Sequence, residues 1–428
     1  GSRATIAITM LVKNPASDHH GVIHYRDIGD YLTRDEKLAI LGDAVSADPE
    51  WTIITQDKHG DWLDKRDDSI NRFIPIKAMF NVSSLGASTN RDTWVWNFDK
   101  NRLLTNAKTM TDAYNESVST GIEINDDTRI KWTAGLKQRF KRKADVAFNA
   151  DAIVIGAYRP FTHQRLYFNQ QVIERPSNQS KIFPSPDSQN IEISMTGTGN
   201  NGFSCIAVNR IPCLDLMQKS QCFPLYYYES AEPEDTRIGY GTLFGEAQGE
   251  LTLDENATSG DEPRYVRHDA ITNTALKVFR EAYPHYRISK EDIFYYVYGI
   301  LHSPEYRKRF ENNLKKELPR IPLAADFKAF MKAGRELAEL HINYEYIERW
   351  SVHEEGNKEN PGPTVKMSYP VKKKDPETGK KVPDTTILQV AENLTIHGIP
   401  ERAYKYVVNG KSAIGWLIDR YKITTDKK

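Results

Sequence analysis

Residues 151–168 read DAIVIGAYRPFTHQRLYF, and the character of the chain changes at their start. Ala152–Tyr158 is a short apolar run with branched side chains, the mark of a strand. Further on, Ile191, Ile193 and Met195 alternate with polar neighbours, which is the period of a half-buried strand. Phe203–Val208 is another strand candidate. Helical patterns lie on both sides of this stretch. Residues 106–149 are more helical, and within them Trp132, Leu136 and Phe140 recur at i, i+4 and i+8 and mark one apolar face. Helices are expected again from 268 to 345, where Ile293, Val297, Ile300 and Leu301 make a stripe, and a last one from Ala413 to Tyr421. The expected class is α+β, a β-rich core flanked by helical segments.

Working outward, Thr33 to Val45 has Leu38, Leu41 and Val45 at helical spacing, with Thr33 as cap and Glu36 three residues on. Residues 51–100, full of aromatics and turn formers, read as mixed strand and loop. Residues 4–12, ATIAITMLV, form an apolar run that suits a buried strand, closed by the turn Lys13-Asn14-Pro15. A strand needs neighbours, and these are expected upstream. The stretch 231–262 is acidic and rich in Gly, Glu and Thr, as exposed loops are. Residues 352–383, with Pro361, Gly362, Pro363 and a lysine cluster, read as a hairpin or long loop. Gly1-Ser2 without an initial methionine looks like a cloning remnant, so a piece of a longer protein is expected.

With 428 residues, 39% hydrophobic and 27% charged, the chain is long enough for two or three soluble domains. Its 22 tyrosines suit surfaces that are half apolar and half wet. Basic and acidic residues balance at 58 each, so any contact with a nucleic acid must come from local patches. Apolar runs such as Ile6–Val12 fall far short of a membrane span, and no membrane partner is expected. Cys205, Cys213 and Cys222 cannot all pair and match no compact zinc spacing. They read as reduced thiols, a three-cysteine metal site with His163 being the alternative.

Several catalytic signatures are absent. There is no P-loop, no G-x-S-x-G elbow and no H-E-x-x-H helix. Gly197-Thr198-Gly199-Asn200-Asn201-Gly202 lies between two strand candidates and reads as a hairpin turn, not a dinucleotide fingerprint. Asp375-Pro376-Glu377-Thr378-Gly379-Lys380-Lys381 sets carboxylates near lysine as metal-dependent nucleases do, but its Pro and Gly describe an exposed turn. No catalytic residue and no cofactor is assigned to this chain.

Basic segments carry more information. Arg129, Lys131, Lys137, Arg139, Lys141, Arg142 and Lys143 fall within fifteen residues that hold no acid. A helix with one apolar side can pack on the body while its cations meet phosphates, and a solvated face is the equal alternative. Lys366, Lys372, Lys373, Lys374, Lys380 and Lys381 form a second cluster, in a loop. The third, from Arg307 to Arg320, is preceded by Glu305, interrupted by Glu311 and Glu317, and reads as a salt-bridged surface. Tyr158–Phe168 is the densest mix of aromatics and arginines, suited to pairing with guanine or phosphate. For Arg159 alone, tying down a turn around Pro160 is the stronger reading. The expected DNA contacts are Arg159, Arg165, Lys141, Arg142, Lys373, Lys137 and Arg139.

Tyr158-Arg159-Pro160-Phe161, followed by Arg165 and Tyr167-Phe168, resembles the start of the target-recognition region in fused restriction-modification enzymes of the Type ISP group. These are single polypeptides with nuclease, helicase-like ATPase, adenine methyltransferase and target-recognition parts. Other stretches resemble the group in the same order. Ile6–Pro15 looks like a late strand of the methyltransferase sheet, and Asp57–Leu63 and Thr89–Trp94 like blocks between methyltransferase and recognition domain. Ile293–Arg307 (IFYYVYGILHSPEYR) is the most distinctive, followed by Leu318–Pro322, Leu340-His341 with Tyr344-Glu345, and Tyr404–Tyr421 with Asn409-Gly410-Lys411-Ser412 and Trp416.

The resemblance implies a remnant of the methyltransferase domain over residues 1–25, a connecting, partly helical region over 26–150 and a target-recognition domain over 151–428. It implies a bacterial cytoplasmic protein whose partners are double-stranded DNA and the methyltransferase and ATPase domains of the same polypeptide. The parent enzyme would use S-adenosylmethionine, ATP and Mg, and would flip the target adenine out of the stack. The methyl-donor site and the Asn-Pro-Pro-Tyr loop of the group are missing here, so the parent's activities do not pass to this chain. The alternative is an interdomain coupling scaffold that touches DNA little, which the neutral net charge favours.

Overall fold

The computed structural model describes residues 8–423 apart from 17, 19–20, 30–31, 47–50, 64, 200–201, 232–264, 365 and 377–378. The chain divides into two compact units, residues 1–66 and 67–428. In the first unit, Ile23–Tyr25 pairs antiparallel with Thr52–Ile54, and the helix Arg34–Ser46 lies between them in sequence. The expected cap is present: Glu36 N–H donates to Thr33 Oγ1 at 3.3 Å, and Thr33 N–H donates to Glu36 Oε2 at 2.6 Å. Asp57 closes the next turn by accepting the amides of His59 and Asp61. The strand expected over 4–12 is corrected where the residues are described. Residues 8–12 form no strand, and Ile8, Met10, Leu11 and Val12 are exposed. No described segment offers them a ladder of backbone partners, without which an apolar run is not a strand. Residues 4–7 lie outside the described residues.

The second unit is built around a four-stranded antiparallel sheet in the order Ser84–Leu85, Gln221–Pro224, Glu192–Met195, Cys205–Val208. Helices Asn273–Ala282, Lys290–His302 and Phe327–Asn343 share its hydrophobic core. The Lys290–His302 helix starts in a capping box between Ser289 and Asp292. Every residue from Ile293 to Leu301 is buried, so the expected stripe is a helix enclosed all round. Two glycines allow this. A Cβ on Gly299 would sit 2.2 Å from the Phe330 carbonyl oxygen, and one on Gly334 would sit 1.9 Å from that of Tyr295. Backbone meets backbone where this helix and Phe327–Asn343 cross.

The strand around Ile193 exists, but its polar positions do not face water. Glu192 and Ser194 are fully buried, because Gln179 and Cys222 cover that side. Burial pushes the Glu192 carboxyl up to about 8, so it is neutral at pH 7. Gln179 Nε2 lies 3.4 Å from both of its oxygens, and Gln179 Oε1 is buried without a partner.

A three-stranded antiparallel sheet, Trp96–Asn97, Thr162–Tyr167, Ile153–Arg159, forms a second core with helices Lys100–Thr120 and Ala134–Lys141. The strand expected at Ala152–Tyr158 is thus observed, paired with a strand that the sequence did not announce. The region 51–100 also holds two one-turn helices, Ile76–Met79 and Asp92–Val95, in addition to strand and loop. Strands Val407–Val408 and Lys411–Ser412 turn at Asn409 and Gly410, whose φ values of +49° and +82° suit a tight hairpin. They lead into the last helix, Ala413–Arg420, whose Trp416 donates to the Val408 carbonyl at 2.8 Å. Trp416 is buried with Ala157 and Phe161 of one sheet region and Ile206 and Val208 of the other. The acidic stretch 232–262 lies outside the described residues; Tyr226–Ser230 and Tyr265–Asp269 pair on either side of it.

Glu192→Gln keeps the shape of the side chain, leaves an oxygen to accept from Gln179 Nε2 and cannot ionise. The acid is held neutral in the folded chain and ionises near 4.5 when free. Its contribution is therefore complete below about pH 4.5 and is lost as pH rises through about 8. Thermal melts should show the variant gaining a few degrees over wild type at pH 8, with the gain shrinking toward pH 4.5. A gain of constant size across that window would contradict a neutral Glu192.

Candidate nucleic-acid interface

The arginine- and aromatic-rich segment is a hairpin that turns at Pro160-Phe161 between Ile153–Arg159 and Thr162–Tyr167. Phe161 takes φ +55°, a left-handed backbone unusual for a bulky residue. Its ring is buried against His341 and Tyr344, at centroid distances of 6.4 and 5.6 Å, and this packing holds the turn. Arg159 sits where the strand register shifts. Its guanidinium donates to the Tyr158 carbonyl at 2.7 Å, approaches Cys213 Sγ at 3.2 Å and Asp92 at 3.8 Å, and stacks on the Tyr158 ring. With its side chain only 13% exposed, Arg159 ties the turn down. Arg165 is half-buried and donates to the Phe98 carbonyl. His163 lies 3.3 Å from Glu345, and burial, with Arg210 nearby, lowers its imidazole to about 4.

Thr89–Trp94 holds this hairpin and the basic helix at once. Asp92 accepts from the Tyr158 hydroxyl at 3.2 Å and from the Thr89 hydroxyl. Burial, with Asp92 beside it, pushes the Tyr158 phenol up to about 12, so it stays a donor. Arg91 points the other way, into the core, and is 1% exposed. Its guanidinium donates to Thr133 and lies 3.4 Å from Glu174 Oε2. Burial lowers Arg91 to about 10, which leaves it a cation at pH 7. Glu174 in turn accepts the Gly135 amide at 2.9 Å. Gly135 is in the first turn of Ala134–Lys141, where unpaired amides and the helix dipole favour an anion.

That helix has the expected apolar face: Leu136 is buried, and Trp132 and Phe140 meet edge to face at 5.5 Å. It is short, eight residues, and Trp132 precedes it. Lys137 pairs with Glu123 at 3.3 Å, and Arg129 with Glu116 at 2.6 Å. Arg139 donates twice to the Asp145 carbonyl. Lys141 and Arg142, at the C-terminal end, are exposed. Lys373 lies elsewhere in sequence, in the ribbon of Lys372–Lys374 and Lys381–Pro383, with Nζ 3.7 Å from Asp384. The structure therefore groups Arg159 and Arg165 on one hairpin and Lys137, Arg139, Lys141 and Arg142 on and just after one helix.

The remaining motifs find structural places. Gly197–Gly202 falls in sequence between the antiparallel strands Glu192–Met195 and Cys205–Val208, and 375–380 between the two strands of the lysine ribbon; 200–201 and 377–378 lie outside the described residues. The third basic cluster is salt-bridged, with Arg309 on Asp67, Lys315 on Glu311 and Arg320 on Glu317. The three thiols are buried apart, Cys205 beside Arg307, Cys213 beside Arg159 and Cys222 beside Ser194. Among the described residues no group of three His, Cys, Asp or Glu side chains is placed to hold a metal. Sequence reading singled out Thr89–Trp94 by resemblance alone and missed Glu174. The usable signal was a charged Arg91-Asp92 pair running straight into the apolar Trp94-Val95-Trp96.

Removing one partner of a buried ion pair leaves the other charge without compensation, at a cost of about 3–5 kcal/mol. Arg91→Met should lower the urea-unfolding free energy by that amount, since Glu174 would remain buried. A loss below about 1 kcal/mol would show the pair to be dispensable.

Residues 78–428 match the family model for the Type ISP C-terminal specificity domain. No curated protein matches the chain. Three solved structures are similar to it over nearly its whole length. A nuclease-deletion mutant of the Type ISP restriction-modification enzyme LlaGI, in complex with a DNA substrate mimic, is 32% identical with a TM-score of 0.75, over 96% of this chain and 30% of that one. The ATP-dependent Type ISP restriction-modification enzyme LlaBIII, bound to DNA, is 31% identical with a TM-score of 0.78, over 95% and 25%. DrdV in a DNA complex is 28% identical with a TM-score of 0.75, over 95% and 39%. The chain thus spans between a quarter and two-fifths of the length of these enzymes. With the family model covering most of its residues, the chain belongs to the Type ISP C-terminal specificity domain family.

Proposed function

We propose that the chain docks on duplex DNA, reads a short asymmetric site and positions the methyltransferase and nuclease-translocase of a single-chain restriction-modification enzyme. The observation that carries this reading is its similarity, over at least 95% of its length, to enzymes solved with DNA or a DNA mimic. Phosphate contacts set register on a duplex and base-edge contacts specify sequence. Lys141 and Arg142, exposed at the end of a helix whose start is pinned by Glu174, serve the first purpose. Lys137, Arg139 and Lys373 are engaged within the chain, on Glu123, the Asp145 carbonyl and Asp384, and brace the elements that carry them. Arg159 and Arg165 act through the hairpin: they fix its shape and so the place of the side chains that reach the bases. The chemistry, with its S-adenosylmethionine, ATP and Mg, belongs to the parent's other domains in a bacterial cytoplasm.

A coupling scaffold with little DNA contact is the second reading, favoured by the balance of 58 cations against 58 acids. Selection from a library of random duplexes at moderate salt separates the two. DNA recognition requires enrichment of one asymmetric motif by this chain. Reversing Lys141 and Arg142 to Glu should then weaken binding about tenfold or more and flatten its salt dependence. Unchanged binding by the reversed variant would favour the scaffold.

A further inference from the structure

The strands Lys372–Lys374 and Lys381–Pro383 pair with Lys374 opposite Lys381 and Lys372 opposite Pro383. Residues directly opposite in an antiparallel ribbon share a face, as do residues two apart on one strand. One face therefore carries Lys372, Lys374, Lys381 and Pro383, all exposed, and the other carries Lys373 and the half-buried Val382. The Lys373 face is neutralised, since Asp384 lies 3.7 Å from its Nζ. On the other face none of the three lysines makes an ion pair among the described residues. Lys374 and Lys381, like charges set directly opposite each other, repel modestly, and an anion from outside would relieve that.

Unpaired lysines occur elsewhere on the surface, but here three share one face of a ribbon. Lys108, Lys277, Lys332, Lys358 and Lys411 each have a carboxylate within 4 Å, and the whole chain has no net charge. Lys372 and Lys374 are about 6–7 Å apart along the strand, given a rise near 3.3 Å per residue. A two-stranded ribbon is also slim enough for the major groove of DNA. Lysine is a mobile point charge without the fork that lets arginine read guanine.

We infer that the outward face of this ribbon, Lys372, Lys374 and Lys381, is a phosphate clamp that grips duplex DNA without reading its sequence. The inference rests on the DNA reading above and assigns to the ribbon affinity but no specificity. Lys373, singled out from sequence, belongs to the ribbon's other face and braces it.

The test is the salt dependence of binding by the full chain to its selected duplex and to a scrambled one. The triple substitution Lys372→Ala, Lys374→Ala, Lys381→Ala should reduce the slope of log affinity against log salt by roughly 2–3. Affinity for both duplexes should fall by the same factor, leaving discrimination unchanged. Replacing the same three residues with Arg should restore the slope. A slope unchanged in the triple Ala variant overturns the clamp and leaves the DNA reading intact. Loss of discrimination overturns it too, since the face would then be reading bases. If the wild-type chain binds no duplex, the DNA reading itself falls and the clamp with it.

Discussion

The buried pair of Arg91 and Glu174 is the constraint from which the candidate interface follows. An arginine 1% exposed in a protein core is tolerable only with a compensating charge and hydrogen bonds. Glu174 supplies the charge and, with its remaining capacity, holds the first turn of the basic helix. One residue along, Asp92 faces the opposite way and fixes Tyr158 and Arg159. Two adjacent charged residues, the cap and the first residue of one short helix, thus set the relative position of the hairpin and the cationic helix. A loop of arginines left in solvent would have no such order.

The larger core explains how this arrangement is carried. The Lys290–His302 helix can be enclosed only because Gly299 and Gly334 let its backbone touch that of Phe327–Asn343. That crossing places Tyr298, whose hydroxyl accepts from Ala207 and meets His341 at 2.5 Å, so helices and sheet share one polar link. Trp416 then closes the junction where both sheets end. The block Ile293–Arg307, singled out in the sequence by resemblance, is accordingly for the most part a core element.

Much of the fold was legible where one rule sufficed. The cap at Thr33, the strand at 152–158 and the last helix each depend on local chemistry, and each was found. Failures came where distant contacts decide. Residues 8–12 are apolar enough for a strand, but a strand is made by its partners. Glu192 and Ser194 looked like the wet side of a strand because polarity usually means exposure; here a neighbouring segment covers them. Thr162–Tyr167 was missed because His163, Gln164 and Arg165 hide a strand whose pairing comes from both sides. For the interface, the cation clusters were visible but their division was not. Register decides that Lys373 faces Asp384 while Lys372 and Lys374 face outward, and a run of three lysines carries no register.

The most direct test of the central constraint is amide hydrogen exchange in the Arg91→Met variant. If Arg91 and Asp92 act together as one clamp, amides of Ala134–Lys141 and of the hairpin Ile153–Tyr167 lose protection together. Strands Glu192–Met195 and Cys205–Val208 should keep theirs, because they belong to the other core. Loss confined to the helix, with the hairpin as protected as in wild type, would contradict a shared clamp and leave the two elements independently held.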